Sequence, residues 1–165
     1  MQFPTKGDGS RLILVRHGET EWNKEGRFQG QIDVPLNKNG IVQASTTREF
    51  LKHQKINKAW SSSLIRPIKT ANIILEKHPG VHLNKTDGLI EINHGEWEGK
   101  LESEIKQVWS DLLRAWKSTP ELVQMPNGET IREVWSRSVK SWDEIISNIN
   151  QSETALVVAQ TIWNR

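Results

Sequence analysis

The amino-acid sequence predicts a three-layer α/β/α fold built on a mostly parallel sheet. Two observations lead there. Short apolar runs suited to buried strands, such as Arg11-Leu-Ile-Leu-Val15 and Ala155-Leu-Val-Val-Ala159, alternate with segments of helical periodicity. Strands that read as continuous apolar runs belong to sheets covered on both faces, which is the parallel case. In such sheets ligands bind at the carboxyl ends of the strands, and the chemically interesting residues follow strands: Arg16-His17-Gly18 after the first, Ser61 to Arg66 after the second and Gln160 after the last.

The elements follow in order. Residues 1–10 are polar and Gly-containing and read as a loose lead-in. Arg11–Val15 is a strand. Arg16–Leu36, rich in Gly, Asn, Asp and charge, reads as a long loop, and such loops are usually functional. Asn37 to about Gln54 reads as a helix burying Ala44, Phe50 and Leu51. Lys58–Ser61 is a second strand. Arg66–Glu76 is a second helix with Pro67 in its first turn and Ile68, Ala71 and Leu75 on one face. A third strand is expected near Val81–Leu83, then a loop over Leu89–Gly99. Leu101–Trp116 reads as a helix with Ile105, Val108, Trp109, Leu112 and Trp116 on one stripe. After a loop over Pro120–Gly128, Thr130-x-x-Glu133 is a capping box opening the strongest helix. There Ile131, Val134 or Trp135, Val139, Trp142, Ile145, Ile146 and Ile149 recur at helical spacing. Ala155–Ala159 is the last strand. One domain over residues 11–165 is expected, with no repeat or linker.

Composition excludes several classes. At 165 residues the chain can bury a sizeable core unaided. A net charge of +2 is too mild to indicate nucleic acid or a membrane surface as partner. There is no cysteine, so disulfides, thiolate nucleophiles and Cys-ligated metals are ruled out. The lead-in lacks an apolar signal-like core and no run reaches membrane-span length, so a cytoplasmic location is expected. Eight Trp with no Tyr is an unusual balance, and most of these Trp are expected to serve the core.

The Arg16-His17-Gly18 tripeptide suits phosphate. A guanidinium forks onto two phosphate oxygens, a neutral imidazole is a nucleophile that needs no thiol or metal, and Gly18 would let the backbone approach the ligand. The tripeptide alone is a weak signal, since short motifs recur by chance. Its surroundings strengthen it. Asn23 and Gln29 add neutral donors, Ser62 and Ser63 follow the second strand, and Arg66 lies near a helix amino terminus, where anions bind. Glu91, between Ile90 and Ile92, would have a raised pKa if desolvated and could act as a general acid. Its alternative is an edge carboxylate facing water. His53, His78 and His82 read as surface or turn residues, and His94 as a neighbour of Glu91. Glu96, Glu98, Glu102 and Glu104 read as a solvated helix lead-in, not a metal site.

At this point the chain resembles the histidine phosphatase superfamily, also called phosphoglycerate mutase-like. The resemblance runs through Leu14-Val-Arg-His-Gly-Glu-Thr-Glu-Trp-Asn23, Gly26-Arg-Phe-Gln-Gly30, Asp33, Pro35-Leu36, Gly40, Ser61-Ser-Ser-Leu-Ile-Arg-Pro-Ile-Lys-Thr-Ala71, Leu89–Gly99 and Pro126-Asn-Gly-Glu-Thr130. The stretch Val134–Trp142 leading into Ala155–Ala159 looks most like carboxyarabinitol-phosphatase-like members. The resemblance implies that His17 is transiently phosphorylated and that Arg16 and Arg66 clamp the phosphoryl group. Asn23, Gln29 and Gly30 would line its pocket. Glu91 would protonate the leaving oxygen and then activate water. It implies a small phosphorylated metabolite as partner and no metal or organic cofactor. Mutases of the family usually carry Thr at the position of Gln29 and an Asn-Glu-Arg-His-type segment near the acid, so the phosphatase branch is the better match.

One departure matters. Where the family has a second His after the last strand, this chain has Gln160, which cannot carry a positive charge. The polar end Thr161–Arg165 then stands in place of a further helix and strand, as in a truncated member. That would leave surface that relatives cover, open to self-association. Three readings stay open: a metal-independent phosphomonoesterase, weakened or inactive for want of that His; a non-catalytic phospholigand-binding remnant; and a bisphosphoglycerate-dependent mutase.

Overall fold

The computed structural model describes residues 9–160. The lead-in through residue 8 and the tail after Gln160 lie outside the described residues. The elements run β1 (Arg11–Arg16), α1 (Glu21–Glu25), α2 (Lys38–Leu51), β2 (Lys58–Ser62), α3 (Ile65–Leu75), β3 (Leu83–Thr86), α4 (Glu102–Ser118), α5 (Ile131–Ser147) and β4 (Thr154–Ala159). The sheet is parallel throughout, in the order β1-β4-β2-β3. The α/β reading of the sequence therefore stands.

One face of the sheet packs Ile13, Ala59, Leu156 and Val158 against Leu51, Ala71 and Ile74 of α2 and α3. The other packs Trp60, Ala155, Val157 and Ala159 under Ile145 and Trp142 of α5. A helix about 10 Å across covers about two strands spaced about 4.8 Å apart. Among the described residues one helix lies over the second face, and Leu12 and Leu14 of β1, on the side of Ala155 and Val157, are 44% and 62% exposed. Trp135, Val139 and Ile146 of α5 are exposed as well. A separate cluster of Ile92, Trp97, Ile105, Leu113, Val123, Met125 and Val134 joins α4 and the start of α5 into a lobe.

Several expectations are corrected. Residues 16–36 contain α1, one capped turn in which Thr20 accepts from the Asn23 amide and Asn23 answers. Phe50 is 64% exposed, so α2 buries Gly40, Ala44 and Leu51 instead. The third strand begins at Leu83, two residues late, because pairing with β2 at Ala59–Ser62 sets its register. In α4 the backbone at Trp109 is non-helical (φ −127°, ψ 46°), which rotates the apolar phase. Val108 is therefore exposed, and Ile105 and Leu113 are the buried pair. On α5 the buried face is Val134, Ser141 and Ile145. Among the Trp, Trp97 is fully buried and Trp60 nearly so, and Trp109, Trp116 and Trp142 pack against the core clusters, as expected. His78 lies in the turn after α3, within the reading of surface or turn residue, and is buried there. The Thr130–Glu133 capping box forms as expected.

Candidate active site

Parallel strands send their carboxyl ends to one edge, and the four strand ends deliver the motif residues there. β1 ends at Arg16 and His17, whose amide donates to the Ala159 carbonyl of β4 (3.2 Å), so Gln160 follows alongside. Arg66 sits in the first turn of α3, just after β2. Glu91 lies on the segment after β3. A cavity of about 470 Å³ at this edge is lined by Arg16, His17, Asn23, Gln29, Gly30, Glu91 and His94. A larger depression of about 830 Å³ lies against β3 and α5 and contains none of the motif residues.

His17 is 7% exposed, and its Nδ1 lies 2.7 Å from the Gly18 carbonyl oxygen. A carbonyl can only accept, so Nδ1 carries the proton and Nε2 keeps its lone pair. Burial lowers the His17 pKa to about 4, with Arg66 and Arg16 pushing the same way against the Gly18 bond. The ring is thus neutral at pH 7. The Gly18 amide donates to Thr70 Oγ1 (3.0 Å), and that hydroxyl donates to the Arg66 carbonyl (2.9 Å), which ties the nucleophile's loop to α3. Gly18 is required for a reason other than approach to a ligand. A Cβ there would lie 2.4 Å from the Gly40 carbonyl oxygen at the start of α2.

Thr20, which the sequence reading left without a role, organises the two amides. It is fully buried, its hydroxyl donates to Gln29 Oε1, and its amide donates to Asn23 Oδ1 (3.1 Å). Both carbonyl ends are taken, so Asn23 and Gln29 turn NH₂ groups toward the cavity they line.

Arg66 is fully buried. Nη2 donates to the Gly30 carbonyl (2.6 Å) and Nη1 to the Ile32 carbonyl (3.0 Å), while Nε has no partner. Its charge reaches both His17 and Glu91, but Arg66 is not among the residues that line the cavity with them. Gly30 holds φ +54°, and a Cβ there would stand 1.9 Å from Glu98 Oε1. Glu98 is thus not a solvated lead-in. Its carboxylate accepts the backbone N–H of Gln31, Ile32 and His94 at 2.8, 3.0 and 3.1 Å and locks two loops together.

Burial raises the Glu91 pKa to about 6, against its bond from the Ile92 amide and the nearby Arg66, Arg16 and Arg137. Arg137 of α5 frames this segment, donating to the carbonyls of Gly88, Ile90 and Glu91 at 2.8–3.0 Å and forking onto Glu129. Glu129 also accepts the Asn93 amide (2.8 Å). Arg137 and Glu129 lie far from Glu91 in sequence; both fall in stretches that carry the family resemblance, Pro126–Thr130 and Val134–Trp142, yet no local pattern ties either to Glu91. Among the described residues, neither buried amide atom of Gln160 has a hydrogen-bond partner.

A neutral imidazole with a free Nε2, cationic groups around it and a carboxyl that holds its proton near pH 6 can move a phosphoryl group. The comparisons agree. The model of the histidine phosphatase superfamily (branch 1) matches residues 12–165. Phosphoserine phosphatase 1 of Hydrogenobacter thermophilus is 36% identical over 152 residues, covering 92% of this chain and 71% of its own length. A probable 2-carboxy-D-arabinitol-1-phosphatase of Arabidopsis thaliana is 33% identical over 94% of this chain, which spans 32% of that protein. The solved structure of Bacillus stearothermophilus YhfR superposes with a TM-score of 0.87 at 30% identity, over 93% of this chain and 75% of that one. Motif geometry and relatives together place this chain in the histidine phosphatase superfamily.

Proposed function

We propose that the chain is a metal-independent phosphomonoesterase that works through a phosphohistidine at His17. The observation that carries this is the His17 Nδ1 bond to the Gly18 carbonyl, which directs the Nε2 lone pair to the cavity shared with Glu91. Nε2 attacks phosphorus in line, an N–P bond forms, and the P–O ester bond breaks. Glu91 gives its proton to the departing alkoxide. Glu91, now a carboxylate, takes a proton from water, whose oxygen attacks phosphorus and releases inorganic phosphate and neutral His17. Arg16, Arg66 and the NH₂ groups of Asn23 and Gln29 stabilise the equatorial oxygens. A cationic donor set of this kind repels a metal ion, which supports the metal-independent reading.

The relatives reported above are named for phosphoserine and 2-carboxyarabinitol 1-phosphate. These are compact phosphomonoesters, and they support a small phosphorylated metabolite as substrate. Gln160 favours a second reading, phospholigand binding without turnover, since a neutral amide stands where the family resemblance implies a second His. Rapid quench with a ³²P-labelled phosphomonoester separates the two. Acid-labile, base-stable label on wild type but not on His17→Ala, formed equally in EDTA, supports the enzyme; saturable binding without label supports the second reading. Exposed Leu12, Leu14, Trp135, Val139 and Ile146 support self-association, which sedimentation of Leu14→Lys against wild type tests. No helix among the described residues is long and apolar enough to cross a membrane.

A further inference from the structure

Residues 90–94 belong to no helix or strand, yet they carry the general acid. Backbone groups in such a segment need partners from elsewhere, and one carboxylate organises them. Glu129 stands just ahead of α5; its side chain and that of Arg137 are 22% and 21% exposed. Its Oε1 accepts from Arg137 Nε (2.9 Å). Its Oε2 accepts from Arg137 Nη2 (3.0 Å), the Asn93 amide (2.8 Å) and Gln31 Nε2 (3.2 Å). The Glu129 amide donates in return to the Asn93 carbonyl (2.8 Å). The two side chains that Glu129 gathers then converge on one atom. Arg137 Nη2 (2.9 Å) and Gln31 Nε2 (3.1 Å) both donate to the Glu91 carbonyl oxygen and occupy both of its lone pairs.

The Glu129 carboxylate acts on the acid in two ways. It aims the donors. A guanidinium held at Nε and Nη2 by one carboxylate keeps its orientation, and Gln31 has one amide hydrogen for each of its two acceptors. The Glu91 backbone is thereby held from α5 and from the loop after α1 at once. Glu129 also offsets charge. Arg137, Arg66 of α3 and Arg16 of β1 all favour the ionised form of Glu91, and His17 beside them is neutral. Glu129 is the anion paired with Arg137.

Resting on the phosphatase reading above, we propose that Glu129 is a positioning residue for the general acid: through Arg137 and Gln31 it fixes where the Glu91 carboxyl meets the departing oxygen, and it keeps the Arg137 charge from ionising that carboxyl.

Opposed charge changes separate this role from mere bracing of a loop. Glu129→Gln keeps the side chain's size but leaves the Arg137 charge unopposed. The falling limb of kcat/KM, set by Glu91 near 6, should move down by about half to one pH unit. Arg137→Met leaves Glu129 unopposed, and the limb should move up by about as much. The double variant should bring the limb back close to that of wild type. Gln31→Met removes a donor and no charge, so it should lower kcat about tenfold with the limb in place. Glu129→Gln should lower kcat about 10- to 100-fold with little change in KM, and the double variant should fall no further than the worse single, because both act through one bracket. Bracing alone predicts otherwise: each variant would admit water to Glu91 and move the limb toward 4.5 in the same direction. Limbs that move together, or an unchanged kcat in Glu129→Gln, overturn the proposal. Titration of the Glu91 carboxyl by ¹³C NMR, its signal assigned with Glu91→Gln, reads the same shifts without turnover. If no phosphomonoester is hydrolysed but the shifts are opposed, the phosphatase reading fails and the Glu129 assignment stands. Shifts of one sign, or none, overturn the assignment even where esters are hydrolysed.

Discussion

Replacing Glu91 with Gln should stabilise the protein while stopping the reaction. Folding moves this carboxyl from 4.5 to about 6, chiefly by burial. A carboxyl whose pKa is raised by folding holds its proton more tightly in the native state, so between pH 4.5 and 6 the unfolded chain binds fewer protons. Native stability therefore falls as pH rises through that window and stays lowered above it. The displacement corresponds to about 2 kcal/mol, an upper figure because the residue keeps some contact with water. Gln preserves the shape and can still accept from the Ile92 amide through Oε1. Urea unfolding followed by the fluorescence of buried Trp60 and Trp97 should show Glu91→Gln up to about 2 kcal/mol more stable than wild type at pH 7. The two should converge near pH 4. The same variant should lose about 10²- to 10⁴-fold in kcat, the usual worth of a general acid. A variant less stable at pH 7, or offset by the same amount at every pH, would refute the claim that Glu91 is held protonated by burial.

Other outcomes follow from the same geometry. kcat/KM should rise with pH as His17 loses its proton near 4 and fall as Glu91 loses its own near 6; the optimum lies at about pH 5, and a profile still climbing at pH 7 contradicts the role of Glu91. Arg137→Ala removes five hydrogen bonds around Glu91 and should lower kcat about 10- to 100-fold with little change in KM. Arg137→Lys should not rescue it, because an ammonium cannot make that fork. Gly30→Ala should destabilise by about 2–3 kcal/mol through strain and collision with Glu98, against about 1 kcal/mol for Gly26→Ala, whose φ is also positive but whose Cβ meets open space; equal losses in urea titrations would sink the Glu98 argument. Gln160→His puts an ionisable ring where both amide atoms are buried unpartnered, and should raise the single-turnover rate; no change would show that this position does not face the transferred group.

Local signals carried much of this molecule. The apolar run of β4 declares a strand that is buried on both faces, whereas β1 keeps the same pattern with Leu12 and Leu14 exposed, and the Thr130–Glu133 box declares the start of α5 because it satisfies amides within one turn. Arg16, His17, Asn23 and Gln29 were legible as a group because donor types suited to phosphate cluster after a strand, and one cavity is lined by all four. Long-range contacts decided the rest. β3 is a polar edge strand, so its register came from pairing with β2 and not from its own side chains. The phase of α4 turned on one non-helical residue, Trp109. Glu98 looked like a solvated acid, yet it binds three amides from two loops brought to it by the fold. Arg66 was read as a phosphate group's partner, and in the structure its Nη atoms donate to the Gly30 and Ile32 carbonyls. By itself, then, the sequence determined the residue types of the site and the strands that carry them, because strand burial, capping and donor chemistry act over a few residues. Which carboxylate is desolvated, which nitrogen of His17 bears the proton, and which side chains brace the loops were decided only by tertiary structure, because burial and hydrogen-bond partnership depend on how the fold brings neighbours together.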